Sequence, residues 1–253
     1  MATADNTKEN LKSRTALVTG GAVRIGREIC LGLARSGADV VVHYHTSEAQ
    51  ARELVGLIER LGRRAWALGA DLAEPGGPET VFAAAEAQAG TIDILVNNAS
   101  VFPADSLWQV SAESLAHNMN LHALAPLVLA RRLARQCDHG HVVNMLDTRV
   151  ACYDKGHASY HLSKRMLLTL TRMLALELAP AVAVNAVAPG LILSPPGQEG
   201  DYPAKLANRN PLSRHGEPAD AVEAVLYLLG SRFVTGQVLY VDGGAHMKGH
   251  TYD

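Results

Sequence analysis

The chain has 253 residues, 48% of them hydrophobic and 19% charged, with a formal net charge of −2. This is the composition of a soluble globular protein, and its balance of charge supplies no basic field for nucleic acid or an anionic membrane surface. No apolar run reaches membrane-spanning length, and the three scattered cysteines, Cys30, Cys137 and Cys152, fit a reducing compartment without disulfides or structural zinc.

The polar start, Met1–Ser13, reads as a frayed tail and not as a signal peptide or anchor, so the cytoplasm is the expected location. From residue 14 onward, strand and helix patterns alternate to the end of the chain. Thr15–Val18 is a short apolar run leading into Thr19-Gly20-Gly21. A helical pattern follows through Ile25, Ile29, Leu33 and Ala34, and Gly37 stops it. Asp39–Tyr44 holds Val40-Val41-Val42, the mark of a strand buried on both faces. Glu48–Leu61 is an amphipathic helix, Arg64–Leu68 a strand and Pro78–Ala89 a helix. Ile92–Val96 is the fourth strand. Ala112–Gln136 reads as one long helix, His141–Met145 as the fifth strand and Ala158–Leu178 as a helix. Val182–Val187, Pro218–Leu229 and Val238–Val241 complete the order as strand, helix and strand. Such alternation predicts an α/β fold: a single domain over residues 14–253, with about seven parallel strands doubly wound by helices on both faces. Gly190–Gly216 has no periodicity and is rich in Pro and Gly. A loop this long, after a strand's carboxyl end, is expected to serve the substrate as a lid.

The first turn reads Thr19-Gly20-Gly21-Ala22-Val23-Arg24-Ile25-Gly26. Glycines between a strand and a helix let backbone approach a pyrophosphate, and the helix aims its N–H groups and positive dipole end at that charge. The same spacing also serves tight turns and close helix packing, so it is the strand–turn–helix context that carries the reading. An acid at the end of the second strand would bind the ribose hydroxyls of NAD. Here the segment is His43-Tyr44-His45-Thr46-Ser47, with no acid before Glu48. His45, Thr46 and Ser47 can donate to a 2′-phosphate, which favours NADPH. The plainer alternative, that Thr46-Ser47 caps the next helix, is compatible with it. Asp71-Leu72, after the third strand, is placed to face the adenine. Asn97-Asn98-Ala99 ends the fourth strand at the cofactor crevice.

Tyr160 and Lys164 are spaced i, i+4 and so share a helix face. A lysine beside a phenol is expected to lower the phenol's pKa. That suits Tyr160 as proton donor to a substrate receiving hydride. Alone, Tyr-x-x-x-Lys is common on surface helices; the glycine turn and strand order make it specific.

From about Arg14 to Gly244 the chain resembles the short-chain dehydrogenase/reductase family. The resemblance rests on Thr19-Gly20…Gly26, Asn97-Asn98-Ala99, Asn120, Tyr160-x-x-x-Lys164, Pro189-Gly190 and Val241-Asp242-Gly243-Gly244. It implies that Tyr160 is the acid/base, that Lys164 tunes it and holds the nicotinamide ribose, and that Asn120 supports a relay water. It places Pro189 and Gly190, with Ile192 and Ser194 beyond them, beside the nicotinamide. It also implies a homotetramer with apolar seams along Ala112–Gln136 and Ala158–Leu178. Two departures point to one branch. Arg24 stands where the family's middle glycine is usual, and Asp147, thirteen residues before Tyr160, stands where its serine is usual. Both resemble the pteridine reductases, including the bacterial dihydromonapterin reductases. His43-Tyr44-His45-x-Ser47 is similar to that branch's 2′-phosphate segment, with Thr46 in place of its arginine. Asn98-Ala99-Ser100-Val101-Phe102 is similar to the segment that sets an aromatic over the pterin. Phe233-Val234-Thr235-Gly236 and Asp242-Gly243-Gly244-Ala245-His246 are similar to the bacterial members.

The chemistry is consistent with Asp147. A serine hydroxyl would steady a developing oxyanion, which a carboxylate would repel. Reducing a dihydropterin C=N bond instead requires a proton at nitrogen, and a carboxyl group can bond the pterin's amino and ring nitrogens or pass a proton through Tyr160. On this reading Phe102 stacks the ring, Arg24 bridges pyrophosphate and pterin, and Ser100 and Pro189 line the substrate site. The plainer roles are a loop cap for Asp147, core packing for Phe102 and a solvated charge for Arg24. The favoured expectation is an NADPH-dependent pteridine reductase acting on dihydromonapterin or dihydrobiopterin, with dihydrofolate as a side substrate. The alternatives are a carbonyl reductase (ketoacyl, quinone, sugar or steroid) and a non-catalytic NADP-binding sensor. None of the eleven histidines forms a metal pattern. His157 and His161 lack the glutamate of a zinc helix and read as structural or solvated. His246 and His250 read as solvated tail residues, although in the family's tetramers such tails reach neighbouring sites, which makes His246 a substrate-side candidate.

Overall fold

The computed structural model describes residues 11–194 and 210–250. Strands and helices alternate as β1 (Thr15–Val18), α1 (Arg24–Arg35), β2 (Asp39–Tyr44), α2 (Glu48–Arg60), β3 (Ala65–Gly69), α3 (Gly77–Ala89) and β4 (Ile94–Asn97). Then come α4 (Ala112–Met119), α5 (Ala125–Ala134), β5 (Gly140–Met145), α6 (Ala158–Glu177), β6 (Val182–Pro189), α7 (Pro218–Gly230) and β7 (Val238–Val241). The strands form one sheet in the order β3-β2-β1-β4-β5-β6-β7, with every pairing parallel.

The apolar strand runs follow from burial on both faces. Side chains alternate across a strand, so Ala16 and Val18, Val40 and Val42, and Ile94 and Val96 enter a core beneath α1, α2 and α7. Leu17, Val41 and Leu95 point the other way, into a core beneath α3, α5 and α6. Neither face meets water, so the strands do not alternate in polarity. Chain order reverses direction across the sheet at the β1/β4 boundary, and the crevice outside their carboxyl ends is where ligands of such sheets bind.

Three expectations are refined. Residues 1–10 of the supposed tail lie outside the described residues, but Leu11 is buried and its N–H donates to Ser36 O at 2.8 Å. The stretch Ala112–Gln136 is not one regular helix: a π turn at Asn120–Leu124 separates α4 from α5. Of the Gly190–Gly216 loop, residues 195–209 lie outside the described residues, and its stems meet where Gly216 N–H donates to Leu191 O at 3.1 Å. No helix among the described residues is long and apolar enough to cross a membrane.

Candidate active site

The glycine turn closes onto the end of β4. Gly20 has φ +59°, a conformation glycine adopts at little cost. A Cβ at Gly26 would lie 2.2 Å from Gly20 O, so only glycine lets α1 start this close to the turn. The Asn98 amide donates to Thr19 O at 3.0 Å and Gly20 O at 2.9 Å, and Thr19 Oγ1 accepts from Asn98 N and Ala99 N. These bonds fix the two loops that face a bound dinucleotide. Ile25 packs partly buried against the core under α1. A further support was not foreseen from the sequence. His43 Nδ1 accepts from Gly20 N at 3.2 Å, and its Nε2 lies 3.1 Å from Ala70 O. One buried imidazole thereby braces the phosphate turn against the end of β3, and burial depresses its pKa to about 4.

His45 and Thr46 are exposed beside this turn, and Ser47 makes no side-chain cap to α2. The capping alternative for Ser47 therefore does not hold. Asp71 Oδ1 accepts from Ala73 N at 2.8 Å, and its Oδ2 lies 3.6 Å from His45 Nε2. Leu72 turns its side chain into the core. These residues fit an NADP-type dinucleotide: a glycine-lined turn, a helix amino terminus and no acid at the end of β2.

At the other side of the crevice, β5 and α6 present the reactive groups. The Tyr160 hydroxyl donates to Asp147 Oδ2 at 2.9 Å. Asp147 Oδ1 accepts from Arg149 N at 2.7 Å, capping the turn Thr148–Ala151. The carboxylate thus serves as loop cap and tyrosine partner at once. Lys164 Nζ donates to Met145 O at 2.7 Å and lies 5.7 Å from the Tyr160 ring centroid. Burial lowers its pKa to about 8.

The expected downward shift of the Tyr160 phenol is not found. Burial and then the Asp147 carboxylate hold it well above 10, and Arg149, not Lys164, is the cation pulling the other way. At neutral pH Tyr160 is a protonated phenol, held as a donor.

The Asn120 amide donates to Ala73 O at 3.1 Å, tying the π turn to the loop after β3. Pro189 ends β6, and Gly190 N donates to Val241 O at 2.9 Å. Ile192 is buried just beyond. Arg24 reaches across the crevice to donate to Ser194 O at 2.7 Å.

Phe102 stacks on His157 at 3.9 Å between centroids and 15° between planes, and meets the Tyr160 ring at right angles, 4.7 Å away. One face of Phe102 is therefore already covered. Around it stands a group the sequence did not reveal. Arg149 lies 4.8 Å from the Phe102 ring centroid and pairs with Asp154, which sits 3.1 Å from His157 Nδ1. Nothing in the spacing of 149, 154 and 157 distinguishes them from an ordinary polar loop. His246 is not a solvated tail residue: its Nδ1 lies 2.9 Å from Asp242 Oδ2, and Thr148 Oγ1 donates to the same oxygen at 2.5 Å. Ser100 contacts His122, with Oγ 3.0 Å from Nε2. Among the described residues, no group of His, Cys, Asp and Glu is arranged to hold a metal ion.

A parallel sheet in this order, a glycine turn at its switch point and a buried tyrosine–lysine pair across the crevice define a dinucleotide-dependent oxidoreductase of the Rossmann type. A family model described as enoyl-(acyl carrier protein) reductase matches residues 21–246. An uncharacterized oxidoreductase of Mycobacterium tuberculosis is 34% identical over 92% of each chain. Among solved structures, FolM alternative dihydrofolate reductase 1 from Brucella canis, complexed with NADP, superposes with a TM-score of 0.88 at 34% identity, covering 96% of this chain and 98% of that one. LugOII, a promiscuous reductase that catalyses keto-reduction at C1 in lugdunomycin biosynthesis, gives 0.87 at 33%, covering 94% and 100%. The chain belongs to the short-chain dehydrogenase/reductase family and is an NADP-dependent oxidoreductase.

Proposed function

We propose that this oxidoreductase is a pteridine reductase, transferring hydride from NADPH to the C=N bond of a dihydropterin and producing the tetrahydropterin. The observation that carries the reading is the carboxylate of Asp147 at 2.9 Å from the Tyr160 hydroxyl. An anionic oxygen there opposes the oxyanion of a ketone reduction. It suits an acceptor that offers N–H groups and requires a proton at nitrogen. Likeness to the Brucella FolM protein supports the same assignment.

NADPH, when bound, would supply the hydride, and the acceptor nitrogen would then require one proton. Tyr160, kept protonated by burial and by Asp147, delivers that proton. Asp147 holds the hydroxyl in place and accepts from the amino and ring N–H groups of the pterin. Lys164, anchored on Met145 O, orients the nicotinamide ribose, and Asn120 keeps the π turn beside it in register. Gly20, Gly26, Asn98 and Ala99 shape the pyrophosphate side, with His45, Thr46 and Ser47 at the 2′-phosphate and Asp71 and the backbone of Leu72 at the adenine. Pro189, Gly190 and Ile192 border the nicotinamide. Phe102, 40% exposed, offers the accessible part of its ring to the pterin, and Ser100 and Arg24 border the ring. The exposed apolar residues Leu124 on the π turn between α4 and α5, and Leu162, Met173 and Leu176 on α6, support the homotetramer that the family resemblance implies.

The test is NADPH oxidation with dihydrobiopterin, dihydromonapterin and dihydrofolate, alongside a panel of ketones. Asp147→Ala is expected to lose at least about a hundredfold in turnover, the low end of what a positioned acid–base group contributes, while NADPH binding persists. Ketone turnover without dihydropterin turnover would favour the second reading, a carbonyl reductase, which the likeness to LugOII supports.

A further inference from the structure

The segment Ser100–Phe102 carries the aromatic wall of the site, yet it is loop, and loops need anchors to hold a ring in place. Its amino-terminal neighbours, Asn98 and Ala99, are tied to Thr19. Farther along, the Asp105 carboxylate accepts from Ser159 N at 3.1 Å and Ser159 Oγ at 2.5 Å, pinning the loop to the start of α6. Between these anchors stands His122, almost wholly buried. Its Nε2 accepts from Val101 N at 3.2 Å and lies 3.0 Å from Ser100 Oγ. Because Nε2 is the acceptor, Nδ1 carries the hydrogen and donates to Ser163 Oγ at 2.8 Å. Ser163 Oγ in turn donates to Tyr160 O at 2.7 Å. The imidazole also meets the Tyr160 ring edge-on at 5.5 Å. The π turn at Asn120–Leu124 inserts a residue into the helix, and π turns of this kind recur at functional sites.

We infer that His122 is a positioning residue for the acceptor: one imidazole sets the Ser100–Phe102 wall against Tyr160 through hydrogen bonds at both ring nitrogens. Burial, then the nearby Lys164 charge, keeps it neutral by depressing its pKa to about 2. The clamp therefore holds across the whole working pH range. Only the acceptor half of the site depends on it, because the dinucleotide half is held separately through Thr19. That Phe102 meets the acceptor rests on the proposed function; that His122 immobilises the segment does not.

The experiment compares the unaltered protein with His122→Phe, which keeps the ring volume but neither nitrogen, and His122→Gln, whose amide supplies one acceptor and one donor. Hydrogen–deuterium exchange reads the clamp without any substrate. Across residues 100–104, between those anchors, exchange in His122→Phe is expected to rise about tenfold, the loss of one well-made buried hydrogen bond. With whichever acceptor the unaltered protein reduces, KM rises by about the same factor and kcat falls less, while NADPH binding, followed by fluorescence, is unchanged. His122→Gln recovers part of both effects. Unchanged exchange in a folded His122→Phe overturns the inference, as does a drop in melting temperature with KM intact. If His122→Phe does not fold, Ser163→Ala, which removes only the partner of Nδ1, is judged by the same two readouts. A protein that reduces ketones and no dihydropterin sinks the proposed function, whereas the exchange result still decides the role of His122.

Discussion

Arg24 takes a backbone conformation that glycine adopts freely and arginine does not, with φ +56°. Left-handed backbone costs a side chain roughly 1–2 kcal/mol, and the return on that strain is a guanidinium bonded to Ser194 O across the crevice. Arg24→Gly is therefore expected to raise the melting temperature by roughly 2 °C while weakening NADPH binding, read by calorimetry; a lower melting temperature would contradict the account. That an arginine replaces the motif's glycine is legible in the sequence, but its partner, 170 residues away, is not. Lys164 illustrates the same divide. Its spacing from Tyr160 identifies it, whereas the pull of burial on its pKa, down to about 8, depends on packing that no spacing encodes. A base with a lowered pKa is charged below that value and neutral above it. The kcat/KM profile should accordingly fall as pH rises through about 8, and Lys164→Arg should remove that limb, since guanidinium does not titrate in this range.

At the level of elements, periodicity located every strand and the ground covered by α1 to α7, because both faces of the sheet are buried and each of these helices has one apolar side. It missed the interruption of α4–α5, since a π turn preserves composition and shifts only the hydrogen-bond register. It also missed how α6 begins. No residue adjacent to Ala158 caps that helix with its side chain; Asp105, more than fifty residues earlier, accepts from Ser159 instead. Burial by itself would raise the Asp105 pKa, but hydrogen bonds from Ser159, Ala158 and Ser114 outweigh it and hold the carboxyl below its ordinary range. Asp105→Ala should cost about 1–2 kcal/mol, the usual range for a lost helix cap. The check is the urea midpoint, with an unchanged denaturant slope showing that the unfolding transition is otherwise the same.

Across the whole molecule, three histidine rings are held neutral by the fold: His43 and His122 are buried, and His141 is half-buried. Burial is the main cause of depression at each: His43 to about 4, His122 to about 2 and His141 to about 4. An unfolded histidine binds its proton near pH 6.5, so below that value the unfolded chain takes up protons these rings refuse. Stability is fully present above pH 6.5 and declines as pH falls toward 4, with His43 alone contributing on the order of 3 kcal/mol. Thermal melts between pH 7 and 5 should show a steady decline that is reduced in His43→Gln; a flat profile would refute it. The same long-range character marks the Thr148–Asp242–His246 junction, which joins the turn beside Asp147 to the segment after β7. Fusion design follows from it. Leu11 lies just before β1, bonded to Ser36 O beyond the end of α1 and opposite the crevice, so a purification handle at that end is expected to leave activity unchanged. A handle joined close behind His246 would pull on a residue wired to the neighbour of Asp147, and a poorly active fusion of that kind would misreport the enzyme.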